Sequence, residues 1–328
     1  MGGPPIQSIF SISNEDEFSK LALEVFQYQA AENPVYAEYL KLLGRAPSSI
    51  SSLEEIPFLP VEFFRKHRVL SGDKKHEVVF ESSGTTSSEA SKHYVHDLAL
   101  YRESFSRGFR HFYGDPKQYR ILALLPSYLE RQNSSLVYMA EELVRLSGHP
   151  ESGFYLDNLE ELVHQLEKSE ESGHKTLLLG VSFALADLAE KYPVELKHTI
   201  IMETGGMKGR RKEMTREELH ELLKNGFGIA SVHSEYGMTE LLSQAYSKGN
   251  GIFHCPPWMK ILIRDPYDPL SPMLRDSSGG INIIDLANIH SCSFISTQDI
   301  GRLTGDGGFT VLGRFDNSDI RGCNLMVE

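Results

Sequence analysis

Cysteine, clustered positive charge and long apolar runs are all scarce in this sequence, and each scarcity excludes something. The three cysteines, Cys255, Cys292 and Cys323, lie far apart. That spacing argues against a disulfide framework and against a paired-cysteine zinc site. Basic residues number 33 against 45 acidic ones, a net charge of -12, with no Lys/Arg-rich run. Phosphate backbones need clustered cations, so nucleic acid is not an expected partner. No apolar stretch approaches the ~20 residues that cross a bilayer. The start, Met1-Gly2-Gly3-Pro4-Pro5, has neither the positive region nor the apolar core of a secretory signal, and Ile6 stands where a myristoylation signal needs Ser or Thr. The 13 histidines are scattered without metal-ligand spacing. A soluble, cytoplasmic protein is the expectation.

What is present suits a large core: 328 residues, 40% of them hydrophobic, enough for one large domain or two smaller ones. Residues 14–43 read as helical, with Phe18, Leu21, Val25 and Phe26 passing into Tyr36, Tyr39 and Leu40, and with Asn14 and Glu17 as a capping box. Pro57 and Pro60 interrupt the chain before Phe63-Phe64, which reads as a turn packed on the core. Strand-like runs at 77–80, 121–125, 176–180, 198–202 and 229–233 then alternate with helical runs at 134–146, 159–168, 183–191 and 215–223. This alternation predicts an α/β fold with a parallel-rich sheet. After Glu240, Gly, Pro and Asp become frequent and short strands at 260–263, 280–284 and 309–312 follow without long helices, as in a more antiparallel β subdomain. The expected division is a helical segment over 1–80 packed on the core, an α/β nucleotide-binding region over 81–240 and a β-rich subdomain over 241–328. No internal repeat or low-complexity tract occurs.

Four segments can carry chemistry. Ser82-Ser83-Gly84-Thr85-Thr86-Ser87-Ser88 follows a strand, and its small hydroxylated residues let backbone N–H groups and hydroxyls cradle polyphosphate oxygens. It is not a Walker loop, because no Gly-Lys-Ser/Thr follows; a polar surface loop fits it equally well. Ser234-Glu235-Tyr236-Gly237-Met238-Thr239-Glu240 lies beyond a strand's carboxyl end, where open α/β sheets bind ligands. There a ring can stack on a base and Glu240 can hold Mg²⁺. Thr297-Gln298-Asp299-Ile300-Gly301-Arg302 offers a carboxylate for ribose hydroxyls, and Gly313-Arg314-Phe315-Asp316-Asn317 an Arg for a phosphate. Taken singly, the last two read as β-turns and surface ion pairs.

In this order, the four segments resemble the adenylate-forming superfamily of acyl-CoA synthetases, luciferases and related ligases. Tyr236 to Glu240 matches its Tyr-Gly-x-Thr-Glu motif residue for residue, and Glu203-Thr204-Gly205-Gly206 is similar to its adenine-side turn. The run Ile56-Pro57-Phe58-Leu59-Pro60-Val61-Glu62-Phe63-Phe64, with Ser91-Lys92, resembles the acyl-protein synthetases of bacterial bioluminescence and, more distantly, phenylacetate-CoA ligases. The resemblance implies a large adenylate-forming domain that uses ATP and Mg²⁺ to activate a carboxylic acid as an acyl-adenylate. The acid is fatty or aromatic, and the acyl group would pass to a thiol of CoA or of a protein cysteine.

The resemblance also implies site roles. Ser82, Ser83, Gly84, Thr85 and Thr86 would hold phosphates, with Lys92 as a charge partner. Gly205, Gly206, Glu235, Tyr236, Gly237 and Met238 would surround adenine. Thr239 would approach the α-phosphate, Glu240 would ligate Mg²⁺, Asp299 would bind ribose and Arg314 would sit at the hinge. Ser87 stands where the family usually has Gly, and Lys92 is displaced. The chain stops at Glu328, just after Ile320-Arg321-Gly322-Cys323-Asn324, so the small mobile domain with its adenylation lysine is absent from the sequence. Loss of one such charge-stabilising group costs on the order of 10²–10³ in rate. A protein partner supplying that function, or a non-catalytic adenylate-binding role, are the alternatives this leaves open. Cys323 beside Arg321 reads either as an acyl acceptor or as an apolar filler in a strand, and Cys255 beside His254 as core packing.

Overall fold

A computed structural model describes residues 3–82, 89–126, 133–156, 158–205, 214–271 and 277–315. The elements in chain order are α1 (Ile6–Ile9), α2 (Glu15–Glu32), α3 (Pro34–Leu42), β1 (Leu59–Pro60), α4 (Phe63–Lys66), β2 (Val78–Glu81) and β3 (Lys92–Val95). Next come α5 (Leu98–Tyr113), β4 (Arg120–Leu124), α6 (Ser135–Ser147), β5 (Gly153–Tyr155), α7 (Leu159–Ser172), β6 (Thr176–Val181), α8 (Ser182–Lys191), β7 (Thr199–Thr204) and α9 (Arg216–Phe227). The remainder is β8 (His233–Tyr236), β9 (Ala245–Ser247), β10 (Ile252–Phe253), β11 (Met259–Arg264), β12 (Gly279–Asp285), β13 (Phe294–Leu303) and β14 (Phe309–Arg314).

Two sheets organise these elements. The first has the order β5-β4-β6-β7-β8-β9, parallel except for the antiparallel edge strand β9. Its strands β4 and β6 are buried along their whole length, as a sheet covered by helices on both faces requires. The second has the order β10-β14-β13-β12-β11 and is antiparallel, with β1 added in parallel beside β13. β2 and β3 form a separate two-stranded hairpin. The expected α/β class with parallel-rich and β-rich parts is therefore present. No described helix is long and apolar enough to cross a membrane.

The structure differs from the sequence reading in several places. Residues 14–43 form two helices, because Pro34 lacks an N–H and disfavours a helical residue before it, so Asn33 is extended at φ -98°, ψ 106°. Asn14 does cap α2, but the Glu17 carboxylate turns to the backbone and hydroxyl of Ser13 rather than closing a box on Asn14. The strand expected at 229–233 begins only at His233, since α9 runs on to Phe227, Gly228 ends it at φ +62°, and Ile229 N still bonds back to Lys224 O. Phe63-Phe64 opens the short helix α4 rather than a turn. Thr215 and Glu218 form a capping box at the start of α9.

Candidate active site

Because β8 starts late, Glu235 and Tyr236 lie on a strand and Gly237 to Glu240 just beyond its end. The parallel register sets Glu203 beside Ser234 and Thr204 beside Glu235. Thr204 donates its hydroxyl to Glu235 Oε2 at 2.5 Å. Gly205, at φ +68° past the end of β7, has its carbonyl held by the Ser182 hydroxyl at 2.9 Å, and the same hydroxyl meets Glu203 Oε2 at 3.0 Å. Burial raises Glu235 to about 7, the Thr204 hydroxyl opposes this, and the nearby Glu203 carboxylate adds to it. A Cβ on Gly237 would lie 2.4 Å from Glu235 Oε1.

Asp299 and Arg314 join this segment from the other sheet. Asp299 lies on the long strand β13 rather than in a turn, and the strand expected at 309–312 runs on as β14 to include Arg314; their register pairs Asp299 with Arg314. The Tyr236 hydroxyl donates to Asp299 Oδ2 at 2.7 Å, while Arg314 Nε lies 3.2 Å from Oδ1. Burial raises the Asp299 carboxyl, against the pull of Arg314 and the Tyr236 hydroxyl. The Tyr236 ring packs against Phe253 and Phe309, with centroids 5.8 and 5.5 Å away.

The hairpin that carries the hydroxyl-rich loop closes the arrangement. Ser82 N donates to Ser91 O at 3.0 Å and Ser91 N to Ser82 Oγ at 2.9 Å, so both ends of the loop are stapled. The Ser91 hydroxyl bonds the Glu240 carboxylate; burial raises that carboxyl and this bond opposes the rise. Lys92 begins β3 opposite Glu81. Next to it, His93 Nδ1 lies 2.8 Å from the Thr239 carbonyl. Met238 packs against the core.

Thus Ser82, Lys92, Gly205, Glu235, Tyr236, Gly237, Met238, Thr239, Glu240, Asp299 and Arg314 come from separate strands and their ends. The readings on Ser83, Gly84, Thr85, Thr86, Gly206 and Cys323 lie outside the described residues. Sequence reading missed Ser91 and His93 as links to the Tyr236–Glu240 segment, and it missed Asn288, which donates to the Glu240 carbonyl, and Asp285, which holds the residues just past it. Asp285 accepts Leu242 N at 2.8 Å and Ser243 N at 3.0 Å. Only the alternating burial of β3, which turns His93 and Val95 inward, would have flagged one of them.

Solved structures share the chain's fold. The chain is similar to 2-hydroxyisobutyryl-CoA ligase in complex with 2-HIB-AMP and CoA, with a TM-score of 0.67 at 15% identity over 96% of this chain and 74% of that one. The same ligase in the thioesterification state gives 0.67 at 16% identity over 96% and 72%. ATP-bound MatB from Rhodopseudomonas palustris gives 0.55 at 14% identity, covering 72% of this chain and 47% of that one. The chain thus spans about half the length of MatB. At these identities the likeness shows the fold alone, and the chain shares the fold of these proteins. No protein-family model and no curated protein matches the sequence.

Proposed function

We propose that the protein activates a carboxylic acid with ATP, forming an acyl-adenylate and passing the acyl group to a thiol. One observation carries the reading: the stapled base of the hydroxyl-rich loop, the Thr239–Glu240 turn and the Asp299–Arg314 pair meet around Tyr236. The solved neighbours in complex with ATP, or with 2-HIB-AMP and CoA, support it at the level of reaction class.

In the proposed reaction a carboxylate oxygen attacks the α-phosphorus of ATP. The bond to the bridging oxygen breaks and pyrophosphate leaves. A thiolate then attacks the acyl carbonyl and AMP leaves. The chain's own work is positioning and charge neutralisation. Asp299 would take the ribose hydroxyls and Arg314 a phosphate, with Lys92 as a further cation. Mg²⁺ fits the donors, since it binds through one or two carboxylates together with phosphate oxygens and water. Glu240 would be that carboxylate, and the ion would offset polyphosphate charge. The likeness of 56–64 to acyl-protein synthetases favours a carrier or protein thiol, and the ATP requirement a cytoplasmic setting.

ATP–pyrophosphate exchange with a panel of fatty and aromatic acids tests the reading. Exchange stimulated by at least one acid is expected. Nucleotide binding without exchange under any acid would turn the assignment to an adenylate-binding protein.

A further inference from the structure

The pairing of β12 with β13 breaks at Asp299, and a buried cation fills the break. Gly280 faces Ile300 and Asn282 faces Ser296, so Ile281 alone stands opposite three residues, Thr297, Gln298 and Asp299. A bulge of this kind interrupts the ladder and re-aims a side chain; this one lies where Asp299 meets Tyr236 and Arg314. Arg264, the last residue of β11, sits opposite Gly280. A Cβ on Gly280 would lie 2.3 Å from Arg264 Cζ, so the glycine lets the guanidinium cross over β12. Nη1 donates to Ile281 O at 3.0 Å and to Asn282 Oδ1 at 3.2 Å, and Nη2 donates to Thr297 O at 2.7 Å. The Thr297 hydroxyl completes the set, donating to Ile281 O at 2.9 Å and accepting Asp299 N at 3.0 Å. On the far side, Phe315 donates its N–H to Gln298 O at 2.8 Å, and its ring centroid lies 5.5 Å from Arg264 Cζ.

Arg264 is only 8% exposed, and burying a guanidinium has a desolvation cost that an apolar side chain would not have. The Glu62 and Asp299 carboxylates offset part of it. What the guanidinium supplies is a planar fork, which bonds carbonyls of both strands at the point where their register breaks. We propose that Arg264 is a positioning residue that holds the bulge of β13 and so sets the Asp299 carboxylate for the ribose hydroxyls of a bound nucleotide. The inference rests on the ATP reading above, and within it on Asp299 as the ribose carboxylate. Without the fork, the bonds that fix Thr297 to Asp299 are lost. The nucleotide must then order the carboxylate itself, and part of its binding energy goes to that ordering.

The test compares Mg-ATP with Mg-2′,3′-dideoxy-ATP, which lacks both ribose hydroxyls, by calorimetry on the full chain. Hydrogen bonds to a charged carboxylate predict that the wild-type chain binds ATP about tenfold more tightly than the dideoxy nucleotide. Arg264→Met keeps a long side chain and removes the donors. In that variant the preference should fall to about twofold, while dideoxy-ATP binds within about twofold of wild type. A preference kept in the variant, or an equal loss for both nucleotides, overturns the proposal. Should Arg264→Met fail to fold, Gly280→Ala displaces the guanidinium with its charge retained and carries the same expectation. A wild-type chain that binds neither nucleotide overturns the ATP reading. One that binds both equally leaves that reading standing and overturns the ribose role of Asp299, and with it the role of Arg264.

Discussion

Glu235 shows at single-residue scale how the site departs from ordinary protein interior. An unfolded glutamate titrates near 4.5, and in the fold burial first, then Glu203, raises this one to about 7 despite the Thr204 hydroxyl. Between those values the native state holds more proton than the unfolded state. Stability therefore falls as pH rises from about 4.5 to about 7 and then stays level. Glu235→Gln removes this dependence, so the variant should gain on wild type by up to about 3 kcal/mol between pH 5 and pH 8, measured by denaturant titration at both pH values. Its neighbour Gly237 has no room for a side chain, with Glu235 Oε1 2.4 Å and Gln244 Cγ 3.3 Å from an added Cβ. Gly237→Ala should cost about 1–3 kcal/mol of stability, read from the same titrations. Glu240→Gln should remove the Mg²⁺ dependence of ATP binding: about tenfold weaker with Mg²⁺ and unchanged with EDTA, seen by calorimetry. The motif from Tyr236 to Glu240 was legible because its residues are contiguous. His93 and Asn288 were not, because each acquires a role only when segments far apart in sequence are brought together.

At the scale of elements, α2 and α3 do more than cover the core. Asn33, buried between them, accepts Val35 N and Tyr36 N as the cap of α3 and donates to Ser291 O at 2.9 Å. One turn earlier, Gln29 donates to the carbonyls of Asn288 and Ile289 and accepts Ser293 N. The amino-terminal helices thus hold the turn that holds Asn288. Asn33→Ala removes a cap and a buried bond together and should cost about 2–3 kcal/mol, measured by thermal or chemical unfolding. The helix pattern over 14–43 was visible in the sequence, while the break at Pro34 was passed over. The strand at 229–233 was misplaced because its apolar residues, Ile229 and Val232, fit a strand and a buried connection alike. The turn chemistry of Gly301 concealed the long strand β13, and that of Gly313 concealed the last two residues of β14, whose start at 309–312 was legible, since register shift and cross-strand pairing are not properties of one segment.

At the scale of the whole molecule, the segments read as 1–80, 81–240 and 241–328 are stitched together. β1 enters the second sheet beside β13, β9 edges the first, and Tyr236 on one sheet bonds Asp299 on the other. The alternation of strands and helices made the α/β class readable. The joining of the two sheets at Tyr236 rests on tertiary contacts that no local pattern encodes. The central claim is that the hydroxyl-rich hairpin and the Tyr236–Glu240 segment form a single nucleotide site. Hydrogen–deuterium exchange of the full chain, with and without Mg-ATP, measures this most directly. The account predicts slowed exchange in peptides covering 78–95 and 233–242 at the same ATP concentration; protection of one without the other, or of neither, contradicts it.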